Sequence, residues 1–300
     1  MFDVVIIGGG PAGLSAGLVL GRFGHQVLIC DSQRPRNAKS PAVHAFLSRD
    51  GVQPQELLLV SRAQLNAYPS VEIRNQEVMD VAREGKNFIV TLQEGAPVTA
   101  RKILFATGVK DVLPSIAGVD ALFGKSVFHC PYCHGWEARG KTLAILANGA
   151  SALHLTTLVH RLNSDIVICT NGPSEISAED QRSLDRHGIQ VIETPIERLQ
   201  WHEDVLEAIV FKDGVQLPRE ALMVRTTLEQ HSSLPVRLGC ALNEMGFLAV
   251  DDKGHTSVEG VFAAGDITSM AHQVIFAASR GAFAATWINT ELLHEAFLSE

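Results

Sequence analysis

The sequence predicts an α/β protein made of two Rossmann-like, three-layer nucleotide-binding folds, the second inserted into the first. Three observations carry this. A glycine-rich strand–turn–helix opens the chain, a weaker copy of that unit begins near residue 142, and an apolar strand ending in Gly265-Asp266 returns to the first fold. A length of 300 residues suits two domains at about 150 residues each.

The opening reads "FDVVIIGGGPAGLSAGLVLGRFG". Residues 4–7 are a short continuous apolar run, the pattern of a strand buried on both faces. Gly8, Gly10 and Gly13, with Pro11 and Ala12 between them, form G-x-G-x-x-G, and small and apolar residues then follow at helical spacing. Such glycines allow a tight turn, close approach of a pyrophosphate and close helix–strand packing, and the helix N-terminus points its positive dipole end at the phosphates. "HQVLICDSQ" is the next strand, and Asp31 at its end is placed to accept from a ribose 2′-hydroxyl.

"ILFATGV" (103–109) reads as a strand and tight turn closing the first half of this fold. Near residue 142 the pattern restarts, with strands expected over 142–146 and 166–169 and a helix over 151–162. Here Ala147 stands where the first glycine belongs, and Gly149, Ser151 and Ala152 make only a partial turn motif. After the second strand comes "TNGP", with no acid for a 2′-hydroxyl and no arginine cluster for a 2′-phosphate. A nucleotide-shaped fold that binds weakly or not at all is as good a reading as a working site. "VFAAGD" is the last apolar strand, followed by a helix of small residues over about 273–287. Asp266 is placed to hold a ribityl hydroxyl of a flavin, and the helix N-terminus to face the ring carbonyl where charge grows on reduction. Polar, Pro-bearing segments at 109–122 and 226–239 read as crossings. The expected domains are therefore 1–113 with 232–300, and an inserted 114–231.

The bulk numbers exclude several classes. A net charge of -8 offers no basic surface for nucleic acid or an anionic membrane. No apolar stretch reaches the ~18 residues needed to span a bilayer. The start has no basic region before its apolar run, so no secretory leader is expected, and the cytoplasm is the expected compartment. Five cysteines, three of them isolated, do not make a secreted disulfide framework.

The remaining two cysteines lie in "VFHCPYCHGWE". A zinc site needs four ligands, usually as two separated pairs, and Cys130 and Cys133 have no second pair. Adding His129 and His134 would force four ligands into six residues, so no metal is expected. A buried structural pair remains an alternative. The residue types favour redox chemistry. The attacking species is a thiolate, a neighbouring histidine can take its proton, and Pro131 fixes the backbone between the sulfurs. His134 is the first choice for the acid–base and His129 the second, with an ordinary half-buried histidine as the plain alternative for His129.

With these pieces in place the chain resembles the low-molecular-weight thioredoxin reductase family of flavoproteins over its whole length, through "IIGGGPAGLSA", "FATG", the CxxC and "GVFAAGD". "HCPYCHG" and "RNAKSPAVHAFLSRDG" resemble a branch that includes dithiol oxidases of the gliotoxin and holomycin type. The resemblance implies FAD as cofactor, with Thr107 and Gly108 at its domain closure, Asn37 and His44 near the flavin, and Gln273 with Val274 at the flavin end of the last helix. His272 stands where the family often has arginine, and His134 where it has an acid. Cys133 would face the flavin and Cys130 the substrate. The inserted domain would rotate to alternate the pair between them, and the protein would be a homodimer. Two reactions stay open: reduction of a thioredoxin-like protein or small disulfide, with NADPH or another donor, and oxidation of a small dithiol, with oxygen as acceptor. A flavin-containing redox sensor is the non-enzymatic alternative.

Overall fold

The computed structural model describes residues 1–299, which group into two compact units. The first holds Met1–Ala38, Phe46–Lys110 and the chain from Leu228 onward. Its centre is the strand Phe2–Ile7, lying parallel between Val27–Cys30 and Val98–Phe105. Val71–Arg74 extends the sheet beyond Val27–Cys30. The strand Val98–Phe105 has two partners on its other side. Its first residues pair antiparallel with Asn87–Leu92, and its last three pair parallel with Val261–Ala263. The apolar run at 4–7 has the expected cause: Val4 and Ile6 pack on the helical side while Val5 and Ile7 pack on the opposite layer.

Two helices make the helical layer, Pro11–Arg22 and Val274–Ser299. The second runs beyond the expected end at 287. Ile288 and Leu292 prolong its buried stripe, and the buried Asn289 side chain is satisfied by His25 Nε2 at 2.8 Å. The two helices touch backbone to backbone, since a Cβ on Gly281 would lie 1.9 Å from the carbonyl oxygen of Ala12.

The second unit holds Asp111–Thr227 and Lys39–Ala45. Its parallel sheet runs Gln190–Ile192, Ile166–Cys169, Leu143–Leu146, Ala221–Val224, Val127–Phe128. Helices Ala150–Val159 and Ala178–Arg186 pack on one face. A three-stranded antiparallel sheet, Ile196–His202, Val205–Phe211 and Gln216–Pro218, packs on the other. The main divisions fall at 110/111 and 227/228, a few residues before the expected 113/114 and 231/232. The short stretch 39–45 differs from the expectation more sharply. Lys39 Nζ bonds Asp120 Oδ1 at 2.6 Å and Val43 is buried, so this piece packs with the insert although its flanks belong to the first unit. No helix among the described residues is long and apolar enough to cross a membrane.

Candidate active site

The first unit presents a dinucleotide cradle. Gly8 has φ of +118°, and a Cβ there would sit 2.2 Å from the Ala106 carbonyl oxygen, so only glycine allows this strand end to meet its neighbour. A Cβ on Gly13 would sit 1.9 Å from the Gly8 oxygen, while Gly10 faces open space. Pro11 takes the first helical position, where a missing N–H costs nothing, and no side chain caps the helix. The first-turn amides are thus left without a side-chain partner, as an anion site requires.

Asp31 lies against this turn: a Cβ on Gly9 would be 2.6 Å from its carboxylate. The carboxylate accepts from the Gln33 amide at 2.9 Å and from the Arg62 guanidinium. Thr107 and Gly108 form the turn after Val98–Phe105, and Thr107 Oγ1 is buried with no hydrogen-bond partner. Gly265 and Asp266 follow Val261–Ala263, and Asp266 Oδ2 accepts from Arg36 Nη1 at 3.1 Å. Arg36 was not among the expected site residues, and Asn37 is the next residue in the same unit. His272, beside Gln273 and Val274 at the start of the last helix, stacks edge-on to Phe247. Its Nε2 is buried without a partner, and burial holds its pKa below the ordinary value despite Asp266. The bare glycine turn, the uncapped helix and the orphaned Thr107 hydroxyl fit a dinucleotide with a flavin end.

The second unit carries the cysteine pair. Cys130 has an extended backbone and precedes the one-turn helix Pro131–His134. Its carbonyl accepts from the amides of Cys133 and His134 at 3.2 and 3.1 Å. This turn brings the two Cα atoms within 5.3 Å, and the sulfurs are bonded to each other. The other cysteines are buried, and burial pushes the thiols of Cys30 and Cys169 up to about 12 and that of Cys240 upward. They are poor nucleophiles. No cluster of three or more metal-ligating side chains occurs among the described residues.

His134 is built into a pocket of its own. Its ring stacks on Phe128 with centroids 5.9 Å apart, Nε2 lies 3.2 Å from Ser40 Oγ, and Nδ1 is buried with no hydrogen-bond partner. Burial lowers its pKa below 6.5, and Glu137 opposes that shift. Glu137 Oε1 is 3.4 Å from His44 Nε2. His44 is therefore grouped with the cysteine turn rather than with the dinucleotide cradle. His129 stacks on Phe123 at 5.6 Å. Sequence reasoning missed Ser40 and Glu137. Glu137, at helical spacing from the cysteines, carried a signal, whereas Ser40 is reached only through the fold.

In the nucleotide-shaped insert, the turn after Leu143–Leu146 is occupied by its own side chain. Asn148 Oδ1 accepts from the amides of Gly149 and Glu175, both at 2.8 Å, and its Nδ2 donates to Pro173 O at 2.9 Å. Ser151 Oγ donates to Asn148 O at 2.7 Å, and Ala152 is packed in the core. An amide that would face a phosphate is already bonded.

A dinucleotide cradle in one unit and a redox disulfide on a one-turn helix in the other define a flavoprotein disulfide oxidoreductase. Residues 2–282 match the pyridine nucleotide-disulphide oxidoreductase family, and the chain belongs to that family. It is 31% identical to thioredoxin reductase sirT of Leptosphaeria maculans, over 98% of this chain and 95% of that one. Among solved structures it is similar to HlmI, at 36% identity and a TM-score of 0.95, covering 99% of this chain and 94% of the other. A candidate thioredoxin reductase TrxB from Bacillus anthracis gives 34% identity and a TM-score of 0.94, with 99% and 100% covered. The chain is a thioredoxin reductase-like, FAD-dependent disulfide oxidoreductase, and in this family NADPH is the usual partner of FAD.

Proposed function

We propose that the enzyme oxidises a small dithiol through Cys130–Cys133, and that electrons enter at the cysteines rather than from a nicotinamide. The observation that supports this reading most is the closed turn at Asn148, which spends the amides of Gly149 and Glu175 inside the protein. A substrate thiolate attacks Cys130 Sγ, the Cys130–Cys133 bond breaks, and Cys133 leaves as the thiolate. The second substrate thiolate then attacks the substrate sulfur of the mixed disulfide, releasing Cys130 and a substrate disulfide. His134 takes the proton from the attacking thiol, because burial keeps its ring neutral near pH 7. Cys133 is the sulfur on the flavin side and Cys130 the one that meets substrate, the order the family pattern implies.

Gly8, Gly10, Pro11, Ala12, Gly13 and Asp31 would hold the adenosine diphosphate of FAD. Thr107, Gly108, Gly265, Asp266 and the 272–274 turn would hold its flavin end, with Asn37 as a further contact. When bound, FAD supplies the two-electron acceptor that restores the disulfide, with oxygen as the final oxidant. We place the enzyme in the cytoplasm as a homodimer.

A second reading, NADPH-driven reduction of a thioredoxin-like protein, is favoured by the activity named for the sirT relative. Anaerobic mixing separates the two. The oxidised enzyme should lose its flavin absorbance with dithiothreitol and form peroxide on re-aeration, and should respond slowly to NADPH. Fast bleaching by NADPH refutes the dithiol reading. Cys133→Ser should abolish turnover with FAD still bound.

A further inference from the structure

The stretch 39–45 is the feature that the expected domain pattern did not contain, and it brings Ser40 to His134. Ser40 Oγ donates its single hydrogen to the Ala42 carbonyl at 2.8 Å. Toward His134 Nε2, 3.2 Å away, the same oxygen is then left to accept. This geometry places the ring hydrogen on Nε2 and leaves Nδ1 as the bare nitrogen, the one that is buried without a partner. The ring belongs to the turn that holds the sulfurs, with its amide bonded to Cys130 O.

We propose that Ser40 is a positioning residue for thiol–disulfide exchange: it fixes the tautomer and orientation of His134, the base of that exchange. The inference rests on the exchange chemistry proposed above. In that step the substrate S–H bond breaks, a bond forms between the substrate sulfur and Cys130, the Cys130–Cys133 bond breaks, and the proton moves to the His134 ring. The substrate sulfur is oxidised and Cys133 is reduced. The titratable groups that bear on the ring are Glu137, from its own turn, and His44, from the same stretch as Ser40, and these two lie 3.4 Å apart. The Gly124 carbonyl favours the protonated ring. The ring is thus a neutral base that gains support once it has taken the proton.

The test uses the oxidised holoenzyme. Stopped-flow reaction with dithiothreitol from pH 5 to 9 is compared for wild type, Ser40→Ala, Ser40→Thr and His134→Gln. Ser40→Ala should slow exchange about tenfold, as expected when one orienting hydrogen bond is lost. Its acid limb should shift in pH, and Ser40→Thr should restore most of the rate. Full activity of Ser40→Ala beside a slow His134→Gln overturns the role of Ser40. Full activity of both overturns His134 itself, and a wild type that does not react with dithiol overturns the exchange reading. Nitrogen-15 NMR of the imidazole is independent of turnover. The wild type should show hydrogen on Nε2, and hydrogen on Nδ1 in the neutral ring overturns the proposal.

Discussion

Replacing Gly281 by alanine should destabilise the enzyme, although alanine is ordinarily the better helix former. Inside a helix the exchange gains about 1 kcal/mol. Here the new Cβ would sit 1.9 Å from the Ala12 oxygen, 2.6 Å from its carbonyl carbon and 2.8 Å from its Cα. All three are backbone atoms, so no side-chain rotation relieves the overlap. An ordinary contact begins at 3.4 Å, so the first and last helices must part by about 1.5 Å. Overpacking of that kind costs about 1–3 kcal/mol, and with a backbone obstacle we take the upper end. The net loss is about 2 kcal/mol, or a fall in Tm of about 4 °C for a chain of this size. Ala12 is also part of the cradle, so FAD affinity should fall with it. The comparator is Gly17→Ala, whose Cβ would meet Ile29 Cδ1 at 2.5 Å, a methyl at the end of a rotatable side chain. It should cost clearly less. Thermal melts with and without added FAD read both effects. A Gly281→Ala enzyme that melts at or above the wild-type temperature, or below which Gly17→Ala falls, refutes the reasoning.

Thr107→Val removes a buried hydroxyl that has no protein partner. Fluorescence titration should show about five- to tenfold weaker FAD binding, while the apoprotein melts no lower, because no internal bond is lost. For pH, burial lowers the pKa of His134, so its base form persists below the ordinary histidine value of 6.5. The acid limb of exchange with a dithiol of fixed ionisation should therefore lie below pH 6.5, and Glu137→Gln, by removing the group that raises the pKa, should move it lower still. Asn148→Ala leaves the amides of Gly149 and Glu175 unpaired. Urea denaturation should show a loss of about 1 kcal/mol for each bond, with the dithiol reaction unchanged.

The strands were legible where both faces are buried, because burial on two sides forces continuous apolar runs such as 4–7 and 166–169. The glycine turn was legible because backbone contacts at Gly8 and Gly13 leave no room for a side chain. The end of the last helix was not, since only the fold shows that the polar Asn289 lies on the buried side, satisfied by His25 from a remote part of the sequence. Cys130, Cys133 and His134 announced themselves by type and spacing. Their surroundings did not: Ser40 lies 94 positions from His134 and gives no periodic or compositional sign of the contact. Asn148 is similar, since only the return of the Pro173–Glu175 loop shows that its side chain fills the turn.

Seven residues, 39–45, are covalently embedded in one unit and folded into the other. The redox module is therefore not a contiguous cassette. A gene fragment encoding only 111–227 would carry both sulfurs and His134 yet lack Ser40 and His44. Grafting it onto another flavoprotein would transfer the disulfide without Ser40, the residue proposed to orient His134. Any transplant has to take this stitch along as a separate insertion, and chimaeras that ignore it should form the bond but exchange it slowly.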